Sequence, residues 1–221
     1  MKTRAEKVFD GVYAIGGRLM TVNLDKGRRV YAEDLVKEGS MELRSWTPYR
    51  SKLSAAIKNG LKNMAIKEGC AVLYLGAANG TTPSHVSDIV GKEGRVYCVE
   101  LSERSMRDLI ELCKRRENML PILADAHDTG KYKDIVEKCD VIYQDVSARE
   151  QAEILKKNSQ FLKKGGYAYF VIKSQSVDIS RDPREVFKDE LKKLEDTFEV
   201  METMSLEPYD SAHLFAVLRK K

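Results

Sequence analysis

From residue 47 onward, short apolar β-prone runs alternate with stretches of helical periodicity, and that alternation restricts the chain to few architectures. The runs fall at 71–75, 95–100, 120–123, 140–145 and 167–173, with helical patterns between them at 83–90, 103–116, 132–137 and 149–162. A strand, a helix and a further strand make a crossover, which sets the strands parallel and covers both faces of an open sheet with helices. A helical stretch at 183–196 then leads to two β-like runs, 198–206 and 213–218, joined by a loop alone. Without a crossover, these two pair antiparallel at one edge.

A helix is also expected before the first of these strands. Thr47 suits its N-cap and Pro48 its first helical position, and Leu53, Ile57 and Leu61 recur along one face. Residues 1–46 have a different character, with short β-prone runs broken by Asp-Gly, Gly-Gly and Asp-Lys-Gly. The expected organisation is therefore a small N-terminal antiparallel β domain over 1–46 and an α/β domain over 47–221. The latter is a Rossmann-like doubly wound sheet ending in an antiparallel hairpin, the arrangement of class I S-adenosylmethionine (SAM)-dependent methyltransferases.

Bulk properties exclude several classes. The 221 residues include no apolar stretch long enough for a membrane helix, and the N-terminus lacks a signal-peptide core, so a cytoplasmic protein with no membrane partner is expected. The four cysteines form no C-x-x-C pair and the three histidines stand at no metal-ligand spacing. Neither a metal site nor a disulfide framework is expected, and the cysteines read as core residues. The net charge of +4 is mildly basic, with clusters at Arg28-Arg29, Lys114-Arg115-Arg116, Lys163-Lys164 and Arg219-Lys220-Lys221. Scattered solvated faces and a phosphate-neutralising footprint both remain open on this evidence.

The stretch "VLYLGAANGTT" turns a buried strand into a glycine loop. A P-loop requires wider glycine spacing and a lysine where Thr81 stands. The dinucleotide fingerprint requires glycine where Ala78 stands. Both phosphate readings fail, which favours SAM, with its amino-acid moiety along Gly76 and Ala77 and its carboxylate near Thr81 and Thr82 at a helix start. Capping of that helix by Thr81 or Thr82 is the plainer alternative. Acidic residues end three successive strands: Glu100 suits ribose hydroxyls, Asp125 with Ala126 suits the adenine edge, and Asp145 ends the fourth strand.

Candidates for the chemistry lie at the same edge. Lys173 ends the fifth strand after four apolar or aromatic residues, which places an amine at the ligand edge beside Asp145. Desolvation or a neighbouring cation there is expected to lower its pKa, so that Lys173 and Asp145 together aid removal of a hydroxyl proton during in-line methyl transfer. Lys52, near the start of the first helix, and His213, which opens the last strand, complete a Lys–Asp–Lys–His set. Taken singly, Lys52 reads as a surface lysine and His213 as an edge histidine.

Seven segments, "WTPYRSKLSAAI", "YLGAANGTTPSHVSDIVG", "VYCVELSERSMRDL", "PILADAHD", "DVIYQDVSAREQAEI", "FLKKGG" and "EPYDSAH", follow one another in register over most of the chain. In these the sequence resembles the fibrillarin family in its archaeal form. The resemblance implies ribose 2′-O-methylation of ribosomal and transfer RNA within a box C/D guide ribonucleoprotein. It implies as partners the guide RNA and its target, a Nop-family scaffold protein and a kink-turn-binding ribosomal-type protein. Carried over by position, the SAM site comprises Thr81, Thr82, Glu100, Leu101, Asp125, Ala126 and Asp145, Val146, Ser147 and Ala148. The catalytic set becomes Lys52, Asp145, Lys173 and His213. Ala78-Asn79 replaces Ser-Ala of the usual loop, and Gln175 stands where the family often has arginine. The glycine-arginine-rich tail of eukaryotic members is absent, so nucleolar localisation is not expected. Alternative readings are a mainly structural SAM-binding subunit of the same complex and a stand-alone small-molecule methyltransferase. The β module and a helix over 132–138 are the suggested scaffold-facing surfaces.

Overall fold

The computed structural model describes residues 4–221 and contains two β-sheets. Strands β1 (Glu6–Phe9), β2 (Val12–Ile15), β3 (Arg18–Val22), β4 (Leu35–Glu38) and β5 (Met41–Ser45) form an antiparallel sheet in the order β1-β2-β3-β5-β4. The chain then runs through α1 (Lys52–Lys58), β6 (Ala71–Leu75), α2 (Thr81–Val90), β7 (Arg95–Glu100), α3 (Glu103–Cys113) and β8 (Met119–Leu123). It continues through β9 (Cys139–Gln144), α4 (Gln151–Asn158), β10 (Leu162–Lys173), α5 (Ser174–Val177), α6 (Pro183–Lys192), β11 (Phe198–Ser205) and β12 (His213–Lys220). The second sheet has the order β11-β12-β10-β9-β6-β7-β8, in which β12 alone runs antiparallel to its neighbours.

The period-2 geometry of a strand explains why both faces are apolar. Val72 and Tyr74 join Val96, Cys98, Val141, Tyr143, Val171 and Phe215 under Leu53, Val86, Ile89 and Leu109 from α1, α2 and α3. Leu73 and Leu75 join Val99, Ile142, Phe170, Ile172 and Leu218 under Ile154 and Leu155 of α4 and Leu194 beyond α6. Cys70, Cys98 and Cys139 are buried and Cys113 half-buried, all as free thiols. Burial pushes the Cys113 and Cys139 thiols up to about 12, with the Asp140 and Glu137 charges adding to it at Cys139.

Three helices differ from the sequence expectation. Thr47 and Pro48 form a turn closed by Arg50 N–H donating to Thr47 O (3.3 Å), and α1 starts only after Ser51, whose side chain accepts from Ser54 N–H. Leu61 is buried but lies beyond the C-cap Asn59. No α-helix covers 132–138; a single 3₁₀ turn at Thr129–Lys131 precedes turns in which Ile135 and Val136 N–H donate to Tyr132 O. The buried Tyr132 hydroxyl is tied to Ala126 O and Asn158 Oδ1. The fourth helix stops at Asn158, whose amide bonds Ala126 O, and Leu162 pairs with Cys139 as the start of β10.

The small sheet meets α2 through a buried charge network. The Arg44 guanidinium donates to Asp88 Oδ2, Glu33 Oε1 and Ser84 Oγ, each at 2.7 Å. Arg116 donates to Asp88 Oδ1 at 2.7 Å. His85 stacks on Trp46 at 4.9 Å, with its ring nitrogens 2.7 Å from Thr21 Oγ1 and 2.6 Å from Tyr31 Oη. Burial, with Arg44 and Arg116 nearby, holds His85 well below its ordinary pKa, so it is neutral.

Candidate active site

The sheet reverses its strand order between β6 and β9, where the chain crosses from the β7–β8 side to the β9–β10 side. Loops diverge there and leave a crevice beyond the strand tips. Gly76 requires the least bulky residue: its φ is +83°, and a Cβ would stand 2.6 Å from Asp145 O. The first loop therefore lies directly against the tip of β9.

Two cavities open on either side of this contact and share Gly76, Ala78 and Asp145. One, of 660 Å³, is lined by Glu100, Leu101, Asp125, Ala126 and residues 145–149. The other, of 640 Å³, is lined by Lys52, Tyr74, Thr81, Thr82 and Arg115 among others. A third cavity of 510 Å³, bordered by Lys62, Lys67, Lys163 and Lys164, flanks the N-terminal ends of β6 and β10.

Fixed polar groups surround the first two cavities. The Glu100 carboxylate accepts from Ala78 N–H at 2.7 Å and Ser102 N–H at 2.8 Å, which orients it and leaves lone pairs for further donors. Asp125 Oδ1 accepts from His127 N–H at 2.8 Å. Leu101 is 66% exposed beside the buried Ala126, apolar surface placed to cover a planar ring. Neither threonine caps α2. The helix begins at Thr81 with Gly80 as N-cap and no side-chain cap bond, so its first N–H groups face the crevice unclaimed by a side chain. Thr82 is buried and donates through Oγ1 to Ser51 Oγ.

The four catalytic candidates converge. Lys173 Nζ lies 2.8 Å from Asp145 Oδ1 and donates to Asp145 O and Ser147 Oγ, each at 3.1 Å. Its surroundings are oxygens, three acceptors for three ammonium donors. Lys52 Nζ donates to Asp145 Oδ2 at 3.2 Å. His213 stands opposite Lys173 in the β10–β12 register, so both side chains leave the same face of the sheet. Beneath them Tyr74 and Tyr143 stack at 4.4 Å. Burial, with the Asp145 charge adding to it, drives both phenols well above their ordinary range, so they form a neutral floor. Asp145 Oδ1 is buried against the Lys173 ammonium, while Oδ2 faces Lys52.

Two contributors escape sequence reasoning. Asp210 joins Lys52 (3.5 Å) to His213 Nδ1 (2.9 Å), and its only sequence signal is a place in "EPYDSAH", three residues before His213. Gln151 is fully buried, accepts from Lys173 N–H at 3.0 Å and donates to Lys173 O at 3.2 Å, which fixes the end of β10 against α4. Nothing in the local sequence distinguishes this glutamine from a helix-surface one.

A seven-stranded sheet with one reversed strand and an acid-lined crevice at its switch point defines a class I methyltransferase fold. The fibrillarin family model matches residues 2–221, and the chain belongs to that family. A "Fibrillarin-like rRNA/tRNA 2'-O-methyltransferase" of Pyrococcus furiosus is 47% identical over 218 residues, 96% of each chain. Aeropyrum pernix fibrillarin, solved with natively bound S-adenosyl-L-methionine, superposes with a TM-score of 0.91 at 42% identity, covering 99% of this chain and 98% of that one. A fibrillarin from a fibrillarin/Nop5p complex superposes with a TM-score of 0.90 at 40% identity, covering 98% of this chain and 100% of that one.

Proposed function

We propose that this chain is an RNA ribose 2′-O-methyltransferase that uses S-adenosylmethionine, acts on ribosomal and transfer RNA, and is the catalytic subunit of a box C/D guide ribonucleoprotein. The observation that carries the reading is the Asp145 carboxylate held between two lysines at the junction of two cavities, with Lys173 2.8 Å from Oδ1 and Lys52 3.2 Å from Oδ2.

The residues present fit the cofactor. Glu100 has free lone pairs for the ribose diol, Asp125 for the adenine amine, and Leu101 and Ala126 offer apolar cover to the ring. The open start of α2 suits a carboxylate. Bound there, S-adenosylmethionine supplies a methyl group made electrophilic by its sulfonium.

The protein's own part is alignment and charge. The ribose hydroxyl donates to the Asp145 carboxylate at Oδ2, which aims its oxygen and takes its proton as the C–O bond to the methyl forms and the methyl's bond to sulfur breaks. Lys52 and Lys173 keep that carboxylate in place and stabilise negative charge developing on the oxygen. Gln151 and Ser147 hold Lys173 in register.

The reading extends to the assembly. A Nop-family scaffold protein holds the subunit, a kink-turn-binding ribosomal-type protein anchors the guide RNA, and base pairing selects the target. The fibrillarin/Nop5p complex supports the first of these partners. Among the described residues no helix is long and apolar enough to cross a membrane. We place the protein in the cytoplasm on its likeness to archaeal relatives. The division into a β domain over 1–46 and a transferase domain over 47–221 is supported by the five N-terminal strands keeping to their own sheet.

Labelled cofactor tests the proposal. Transfer to a single ribose set by the guide, and only with guide RNA and both partner proteins present, is the expected result. Turnover by the lone chain on a small molecule would overturn it.

A further inference from the structure

The Lys52 ammonium is committed to neither of its carboxylates. It lies 3.2 Å from Asp145 Oδ2 and 3.5 Å from Asp210 Oδ2. Both distances exceed the roughly 2.7–2.9 Å of a close charge-assisted bond. Asp210 also reaches His213, with Oδ1 2.9 Å from Nδ1, a nitrogen that lies 2.7 Å from Ser211 O as well. With two acceptors around Nδ1, the neutral ring carries its hydrogen there, leaving Nε2 as its free lone pair.

The turn carrying Asp210 is fixed on several sides. Its backbone N–H donates to Leu206 O at 3.0 Å. Asn59 Nδ2 donates to Ser205 O and Glu207 O, each at 2.8 Å. Ser174 Oγ donates to Ala212 O at 3.0 Å, and the neighbouring Tyr209 ring meets Tyr49 edge-on at 5.3 Å. The carboxylate is thus delivered to Lys52 and His213 by structure from three separate elements.

We infer that Asp210 is a positioning residue of the methyl transfer: it draws Lys52 part of the way off Oδ2 of Asp145 and sets the His213 ring, so that Lys52 does not fully claim Oδ2 when the hydroxyl arrives. This rests on the reaction proposed above. Without Asp210, two lysines would share a single carboxylate, and Lys52 would close on Asp145 and compete with the ribose for it.

The test uses the assembled ribonucleoprotein with Asp210→Asn, Asp210→Ala and Asp210→Glu. Loss of alignment should lower kcat roughly 10–100-fold in the first two while leaving KM for cofactor and target RNA within about twofold, and the glutamate should restore most of the rate. In a double-mutant cycle, Asp210→Ala should cost less in the Lys52→Ala background than in the wild type. In the full chain free of RNA, the protected His213 Nδ1 proton seen by NMR should exchange faster in Asp210→Ala. Unchanged kcat, a loss confined to KM, additive cycles or an unaltered His213 signal would each overturn the inference. A wild-type complex that methylates no ribose would sink the proposed function instead, and the His213 signal would then decide the Asp210 contact by itself.

Discussion

Two chains of alternating charge run through this protein, and they are built differently. At the seam between the sheets, Glu33, Arg44, Asp88 and Arg116 have side chains no more than 1% exposed and bonds of 2.7 Å. At the crevice, Lys173, Asp145, Lys52, Asp210 and His213 are 14–33% exposed, with separations from 2.8 to 3.5 Å. The seam uses arginine, whose planar fork can meet several acceptors in fixed geometry. The crevice uses lysine, a point charge that can be shared and re-aimed. The sealed network offsets desolvation by satisfying all but one of its guanidinium nitrogens, Arg116 Nε, whereas the crevice keeps a partly exposed carboxylate beside the two cavities.

The sharpest way to break the comparison is at Asp145. Asp145→Ala should slow methyl transfer in the assembled complex by roughly 10²–10⁴-fold while the thermal midpoint hardly moves, read by labelled-methyl assay and melting. A large loss of stability would make the crevice a structural network like the seam. The converse change is Arg44→Met, which leaves Asp88 and Glu33 short of a cation in a dry site. Denaturant unfolding should show a loss of about 3–5 kcal/mol, with activity per folded molecule retained.

Smaller effects sharpen the contrast. Glu100→Gln weakens the acceptor meant for the ribose diol and turns an amide NH₂ toward one of the two backbone N–H donors, and calorimetry should show cofactor binding about 1.5–3 kcal/mol weaker. The seam should also carry a pH dependence. His85 is held neutral in the folded chain below the value it has when unfolded, so the unfolded state binds the extra proton first as pH falls. This contribution is intact above a pH of about 6.5 and is lost as pH drops further, by at most about 1.4 kcal/mol per unit. Melting of wild type against His85→Asn from pH 7 to 5 checks it, and the variant should lack that part of the slope.

Much of the fold was legible in the sequence, because parallel strands buried on both faces read as apolar runs and crossover helices separate them. Arg95–Glu100 and Ala71–Leu75 lie where the pattern places them, and the closing pair is antiparallel as its short connection requires. Helix ends were less legible. Thr47 resembles a cap by residue type, yet Ser51 performs that role, and the pattern at 132–137 yields turns because Tyr132 is claimed by Asn158 from a distant element.

The site divides in the same way. The sequence alone determined which chemistry was available: a glycine loop unsuited to phosphates, acids at strand tips, and Lys52, Asp145, Lys173 and His213 as separate candidates. Those features depend on residue type and on local periodicity, which are written along the chain. Only the tertiary structure decided that Asp145 sits between two lysines, that Asp210 divides Lys52 and holds His213, and that Arg44 and Asp88 lock the small sheet to the helix behind the loop. Apart from the Asp210–His213 contact, three residues apart, each of these joins residues dozens of positions apart, fixed by strand order and burial, and no local pattern encodes such a distance.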